Sequence, residues 1–92
     1  MIEVKALAGL LAQAEKENLL DEFLSFLFTP SELEDLQKRL ELTVALLQKQ
    51  QTQREIAKNH RVSIAKITRG SNELKRRSVK FRTFLTRSLI PA

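Results

Sequence analysis

Gln53-Arg54-Glu55-Ile56-Ala57-Lys58-Asn59-His60-Arg61-Val62-Ser63-Ile64-Ala65-Lys66-Ile67-Thr68-Arg69-Gly70-Ser71-Asn72 is the stretch that decides how this chain folds. It reads as a short helix, a tight turn and a second helix. Thr52-Gln53-Arg54-Glu55 is a capping box, so the first helix starts at Gln53. Ser63 is an N-cap that opens the second helix, from Ile64 to about Arg76. Ala57 supplies the small residue needed where two helices cross. Ile56, Val62, Ile64 and Ile67 are apolar and placed to hold the angle between them. Ala65, Lys66, Thr68 and Arg69 fall on the opposite face. A helix-turn-helix unit presents small, polar and basic side chains in this way to base edges and phosphates. Two positions depart from that pattern. Arg61 occupies the turn position that often holds glycine; a positive φ there costs a non-glycine residue about 1 kcal/mol. Asn59 is the alternative residue for that conformation. His60 sits where an apolar residue is usual, and reads as a helix-end residue packed half in, not as a ligand or catalyst.

Working outward, Ser78 caps a last helix with Phe81, Phe84, Leu85 and Leu89 as its apolar stripe. Pro91 ends it. Upstream, Gln48-Lys49-Gln50-Gln51 is a polar break. Before it, Thr29-Pro30-Ser31-Glu32 is a strong helix start, with Pro30 at the first helical position and Glu32 completing a capping box. The helix it opens runs to about Gln48. Leu33, Leu36, Leu40, Val44 and Leu47 form one stripe, with Leu42, Ala45 and Leu46 beside it. So wide an apolar arc fits either a core helix with two neighbours or, preferably in a chain this short, a dimer core. Leu19, Leu20, Phe23, Leu24 and Leu27 line a shorter helix that also carries Phe26 and Phe28 off the stripe. Leu7, Leu10, Leu11 and Ala14 mark a first helix, interrupted at Lys16-Glu17-Asn18. The reading is an all-α single domain over residues 1–92. Its dimerisation helices occupy 1–50, the helix-turn-helix 53–76 and the C-terminal helix 78–90.

Charge divides the chain. Residues 1–50 carry five Lys/Arg and nine Asp/Glu, whereas residues 51–92 carry eleven and two. A basic surface for a polyanion is thus joined to an acidic scaffold. Charge alone does not separate DNA, RNA and anionic lipid. Lys66, Arg69, Lys75, Arg76, Arg77, Lys80 and Arg82 are the cations concentrated next to the second helix. Cysteine is absent, which excludes disulfides and thiolate metal sites and fits a reducing, cytoplasmic setting; with one histidine, a metal centre is not expected. No run of 18 apolar residues is present, so no membrane span is expected, and the opening residues do not read as a signal peptide. No carboxylate pair, nucleophile-base set or phosphate loop points to an enzyme.

Thr52-Gln53-Arg54-Glu55-Ile56-Ala57 and Ile64-Ala65-Lys66-Ile67-Thr68-Arg69-Gly70-Ser71-Asn72 resemble the DNA-binding core of the Trp repressor family. Ile-Thr-Arg-Gly-Ser-Asn is the most specific part. Thr29-Pro30 and Arg39 sit at the upstream distances of that family's ligand pocket, and the resemblance extends over residues 19–90. It implies a six-helix, intertwined homodimer that binds L-tryptophan as corepressor and then docks on operator DNA. By the same resemblance, Arg39 and Arg69 would sandwich the indole. Arg69 would also reach the carboxylate, with Thr29 assisting. Backbone carbonyls of Phe26 and Phe28 would accept from the ammonium, and Gly70 would let the ring approach. Gln53, Arg54, Ile64, Ala65, Lys66, Thr68 and Arg69 would lie near base edges, and Lys75 on phosphate.

Three departures from the family pattern stand out. Glu73 replaces a serine that helps hold the ammonium. Phe26 and Phe28 replace smaller aliphatic residues. Arg61-Val62-Ser63 replaces a glycine-rich turn. Two other readings therefore stand beside the tryptophan-gated repressor. One is a ligand-independent DNA-binding dimer with a degenerate pocket. The other is a basic helical module for RNA or protein.

Overall fold

The computed structural model describes residues 1–91, which form six helices and, within that range, no strand. They are α1 (Val4–Lys16), α2 (Leu20–Leu27), α3 (Pro30–Gln48), α4 (Gln53–His60), α5 (Ile64–Arg76) and α6 (Val79–Leu89). The chain divides into two compact units, Met1–Leu36 and a second that begins at Gln37, within α3.

In the first unit, α1 ends where Asn18 adopts φ 58°, a left-handed conformation that asparagine tolerates better than most residues. The Leu19 N–H then donates back to the Ala14 carbonyl at 2.8 Å. Ala14 is the buried residue of α1. No residue of α2 is buried, and Phe26 is 85% exposed. The start of α3 is fixed reciprocally. The Glu32 N–H donates to Thr29 Oγ1 at 3.2 Å, and the Thr29 N–H donates to Glu32 Oε1 at 2.9 Å. Pro30 follows at a position where its missing N–H is not needed.

The second unit repeats this local logic. Thr52 and Glu55 close a capping box at the start of α4, with hydrogen bonds of 3.1 and 3.0 Å. Ser63 Oγ accepts from the Lys66 N–H at 3.2 Å, and Ser78 Oγ from the Phe81 N–H at 3.1 Å. Between α4 and α5 the turn is closed by the Val62 N–H on the Ala57 carbonyl at 3.0 Å. Arg61 takes the left-handed conformation, φ 55° and ψ 45°. The alternative, Asn59, is corrected. Helix α4 continues through His60, so the reversal falls one residue beyond it, and the Asn59 amide instead donates to Gln51 Oε1 at 3.3 Å.

Ile56, Ala57 and Ile67 form the buried centre of this unit, with Leu42, Ala45, Leu46 and Val62 partly buried against them. Ile64 is a second correction: expected to hold the angle between α4 and α5, it is 48% exposed. Helical spacing puts it on the side of Ile67. However, a helical side chain covers the turn before its own Cα, and the first residue of α5 has no such turn. Along α6, Leu85 and Leu89 are half-buried, whereas Phe81 and Phe84 remain largely exposed with ring centroids 6.2 Å apart.

Ile67→Ala should therefore lower stability by about 3 kcal/mol, the cost of truncating a fully packed aliphatic side chain. Ile64→Ala should cost less than about 1 kcal/mol; thermal denaturation of the two variants checks the ranking.

Both capping glutamates are held below the usual carboxylate range, first by the threonine backbone N–H and then by the threonine side chain. A carboxylate with a lowered folded-state pKa stabilises the fold fully above its unfolded value of about 4.3, and that contribution drains as pH falls through the folded value. Melting temperature should fall as pH drops below about 5, and Glu32→Gln with Glu55→Gln should flatten that part of the profile.

Candidate nucleic-acid interface and ligand residues

The second unit is built almost without negative charge. From Gln37 onward the chain has fourteen Lys/Arg and three carboxylates, Glu41, Glu55 and Glu73. Glu55 is committed to the Thr52 cap. Glu73 Oε2 accepts from Arg77 Nη2 at 2.9 Å, and its other oxygen lies 3.6 Å from Arg76 Nη1. Among the described residues, Arg54, Lys58, Lys66, Arg69 and Lys75 take part in no ion pair. Helices α4 and α5 thus present uncompensated positive charge, the condition for exchanging bound counterions against phosphates.

All eight residues expected at DNA are exposed: Gln53, Arg54, Ile64, Ala65, Lys66, Thr68, Arg69 and Lys75. Gln53 and Arg54 open α4, and Ile64, Ala65 and Lys66 form the first turn of α5. One hydrogen bond joins the two helices on this outer face. Thr68 Oγ1 donates to Gln53 Oε1 at 3.0 Å. It fixes the side chain that begins α4 against the middle of α5, and leaves the Gln53 amide N–H groups to donate outward. Lys75 lies nine residues beyond Lys66, about 14 Å along the helix axis.

The residues expected to hold a ligand are distributed differently. Three belong to the first unit: Phe26, whose side chain projects outward; Phe28, half-buried at the end of α2; and Thr29, whose hydroxyl accepts the Glu32 N–H. Four belong to the second. Arg39 is exposed on α3, its carbonyl accepting from Thr43 Oγ1 at 2.8 Å. Arg69, Gly70 and Glu73 lie on α5. A methyl group built on Gly70 would meet Leu46 Cδ1 at 3.4 Å, so packing tolerates alanine with little adjustment. Within the second unit, no side-chain hydrogen bond or ion pair joins Arg39, Arg69 and Glu73 to one another among the described residues.

The second unit has a groove of about 560 Å³ lined by Leu46, Leu74, Val79 and Arg82 among others, and a hollow of about 220 Å³ beside His60 and Arg61. Neither includes a ligand-set residue. No cluster of metal-ligating residues occurs among the described residues, and no described helix is long and apolar enough to cross a membrane.

Sequence reasoning missed the engagement of Glu73 by Arg77, although i, i+4 spacing is a recognisable signal for it. It also missed the Thr68–Gln53 bond, which spans fifteen residues and has no local signature.

A profile of the Trp repressor protein family matches residues 2–89. A Trp operon repressor homolog of Chlamydia trachomatis serovar D is 40% identical over 85 residues, 92% of this chain and 90% of that protein. A Trp operon repressor homolog of Vibrio cholerae serotype O1 is 39% identical over 89 residues, covering 97% and 86%. One from Actinobacillus succinogenes is 48% identical over 65 residues, covering 71% and 64%. The exposed basic face of α4 and α5 falls within the span of the family profile, and the chain belongs to the Trp repressor family of DNA-binding transcription regulators, not to a class of enzymes.

Proposed function

We propose that this protein is a homodimeric transcriptional repressor that binds operator DNA through α4 and α5 when L-tryptophan is bound. The observation that carries the DNA assignment is the outer face of those helices. Eight exposed residues lie on α4 and α5, six of them polar or basic, and the carboxylates of the two helices are tied up elsewhere. Helix α5 enters the major groove by its first turn, Arg54 donates to guanine and Lys75 to phosphate. No membrane-crossing helix occurs among the described residues, and a DNA-bound repressor acts in the cytoplasm.

Dimerisation is supported by what the chain leaves uncovered. Four apolar residues are buried among those described, while Leu10, Leu19, Phe26, Leu40, Phe81 and Phe84 are each more than 40% exposed. A small all-helical chain with so little buried surface is stabilised by a second copy. Two symmetric copies place their α5 helices about 34 Å apart, matching a palindromic operator.

Tryptophan as corepressor is supported by the names of the relatives and by Arg39, Arg69 and Gly70 at the family's spacing. Guanidinium planes stack on an indole and pair with a carboxylate. The ligand favours the DNA-competent state by making contacts available only there. Gly70 fits this role on energetic grounds. A mid-helix glycine costs about 1 kcal/mol relative to alanine, and Leu46 does not require it. Glu73 favours a second reading, a repressor independent of ligand. Its carboxylate already serves Arg77 and so is not free to take the place of the family's serine at the ammonium.

Titration with L-tryptophan separates the two. The chain has no Trp or Tyr, so emission comes from the ligand alone. A saturable blue shift is expected, abolished in Arg39→Ala and Arg69→Ala. Gly70→Ala should bind tryptophan at least tenfold more weakly while melting no lower than the parent. A flat titration up to millimolar ligand would favour the ligand-independent repressor.

Arg54→Ala should lose discrimination between operator and random duplex, whereas Lys75→Ala should weaken both by a common factor. Equal losses on both duplexes for both variants, measured by fluorescence anisotropy, would contradict these assignments.

A further inference from the structure

We infer that Arg61, at the turn between α4 and α5, is an additional phosphate-binding residue of the DNA interface; this rests on the DNA-binding reading above. Among the described residues, three non-glycine residues have positive φ: Asn18, Lys49 and Arg61. Asparagine is at ease there, but arginine is not. Arg61 ends α4, in the left-handed position where glycine is the usual helix terminator and carries no steric penalty. Residues held in such conformations are fixed there by the surrounding structure, and they cluster at functional sites.

Packing does not supply that role. Arg61 is exposed, and among the described residues its guanidinium makes no hydrogen bond or ion pair. Glu41 borders the same shallow hollow but does not pair with it. The surroundings are cationic: Lys58 precedes it on α4, Lys66 follows on α5, and both carboxylates of α4 and α5 are engaged with other groups. A further cation raises self-repulsion in the free protein and is stabilised only against a polyanion.

Position specifies which polyanion. Arg61 lies three residues before Ile64, within about 10 Å of the turn that enters the groove. Its long side chain therefore reaches the phosphates flanking that groove, not the base edges beneath α5. Such a contact fixes register and adds affinity without reading sequence.

The test uses the full chain, L-tryptophan in excess, and random-sequence duplexes of about 40 base pairs beside a selected operator. Arg61→Gly should raise the melting temperature by a few degrees and weaken both duplexes severalfold by one common factor. The slope of log affinity against log salt should become shallower by about 0.9 for each Arg61 engaged. Arg61→Lys should retain most of the affinity and slope. Arg61→Asn, uncharged but at ease with positive φ, should bind as weakly as Arg61→Gly. The inference is overturned if Arg61→Gly leaves affinity and salt slope unchanged while the parent binds. It is overturned equally if that variant melts lower than the parent, which would make Arg61 a structural residue, or loses affinity for the operator alone, which would make it a base contact. A parent chain that binds neither duplex removes the DNA-binding reading itself, and this inference with it.

Discussion

Ala57 lets α4 approach α5 closely enough for Ile56 and Ile67 to be almost completely excluded from water, 1% exposed each. That contact sets the relation between the two helices, and the outer face depends on it. The Thr68–Gln53 hydrogen bond forms only because the helices cross at this separation. The same packing faces Ile67 inward and so turns Ala65, Lys66, Thr68 and Arg69 outward, since a helix cannot bury one stripe without presenting the other. A larger residue at Ala57 would open the angle and break the shared face before any side chain meant for DNA was altered.

Around this small core, stability comes from local devices and is left incomplete. Thr29, Thr52, Ser63 and Ser78 each accept a backbone N–H at the start of a helix. Such caps fix where helices begin, but they do not bury apolar surface. Phe26, Phe81 and Phe84 stay exposed. Uncovered aromatic surface of this kind is what a second copy removes from water, so assembly and folding are coupled in the proposed repressor. Positive charge has a similar logic: concentrated in the unit that begins at Gln37, it disfavours that unit alone and favours it against a polyanion.

Much of this was legible in the sequence because it is local. A capping box is four residues long, and all six helices begin or end close to the polar signals that mark them. Helical periodicity also identified Ile56, Ala57 and Ile67. It failed at Ile64 because burial at a helix end depends on what precedes the helix and not on its period. It hesitated between Asn59 and Arg61 because propensity for positive φ favours asparagine, while the actual length of α4 places the reversal at Arg61. Among the candidate site residues, those of α4 and α5 could be placed on one face by spacing alone. Phe26 could not be placed relative to Arg39 by any periodicity, since the end of α2 and the start of α3 intervene. Their grouping as a ligand set rests on the family resemblance.

The central claim is that the exposed face of α4 and α5 reads DNA as a symmetric pair under the control of L-tryptophan. Selection of bound sites from a random duplex library, run with and without L-tryptophan, tests it most directly. The account predicts enrichment of a palindrome with half-sites about one helical turn apart, in the presence of the ligand only. Enrichment of an unpaired half-site, or no enriched sequence under either condition, would contradict it.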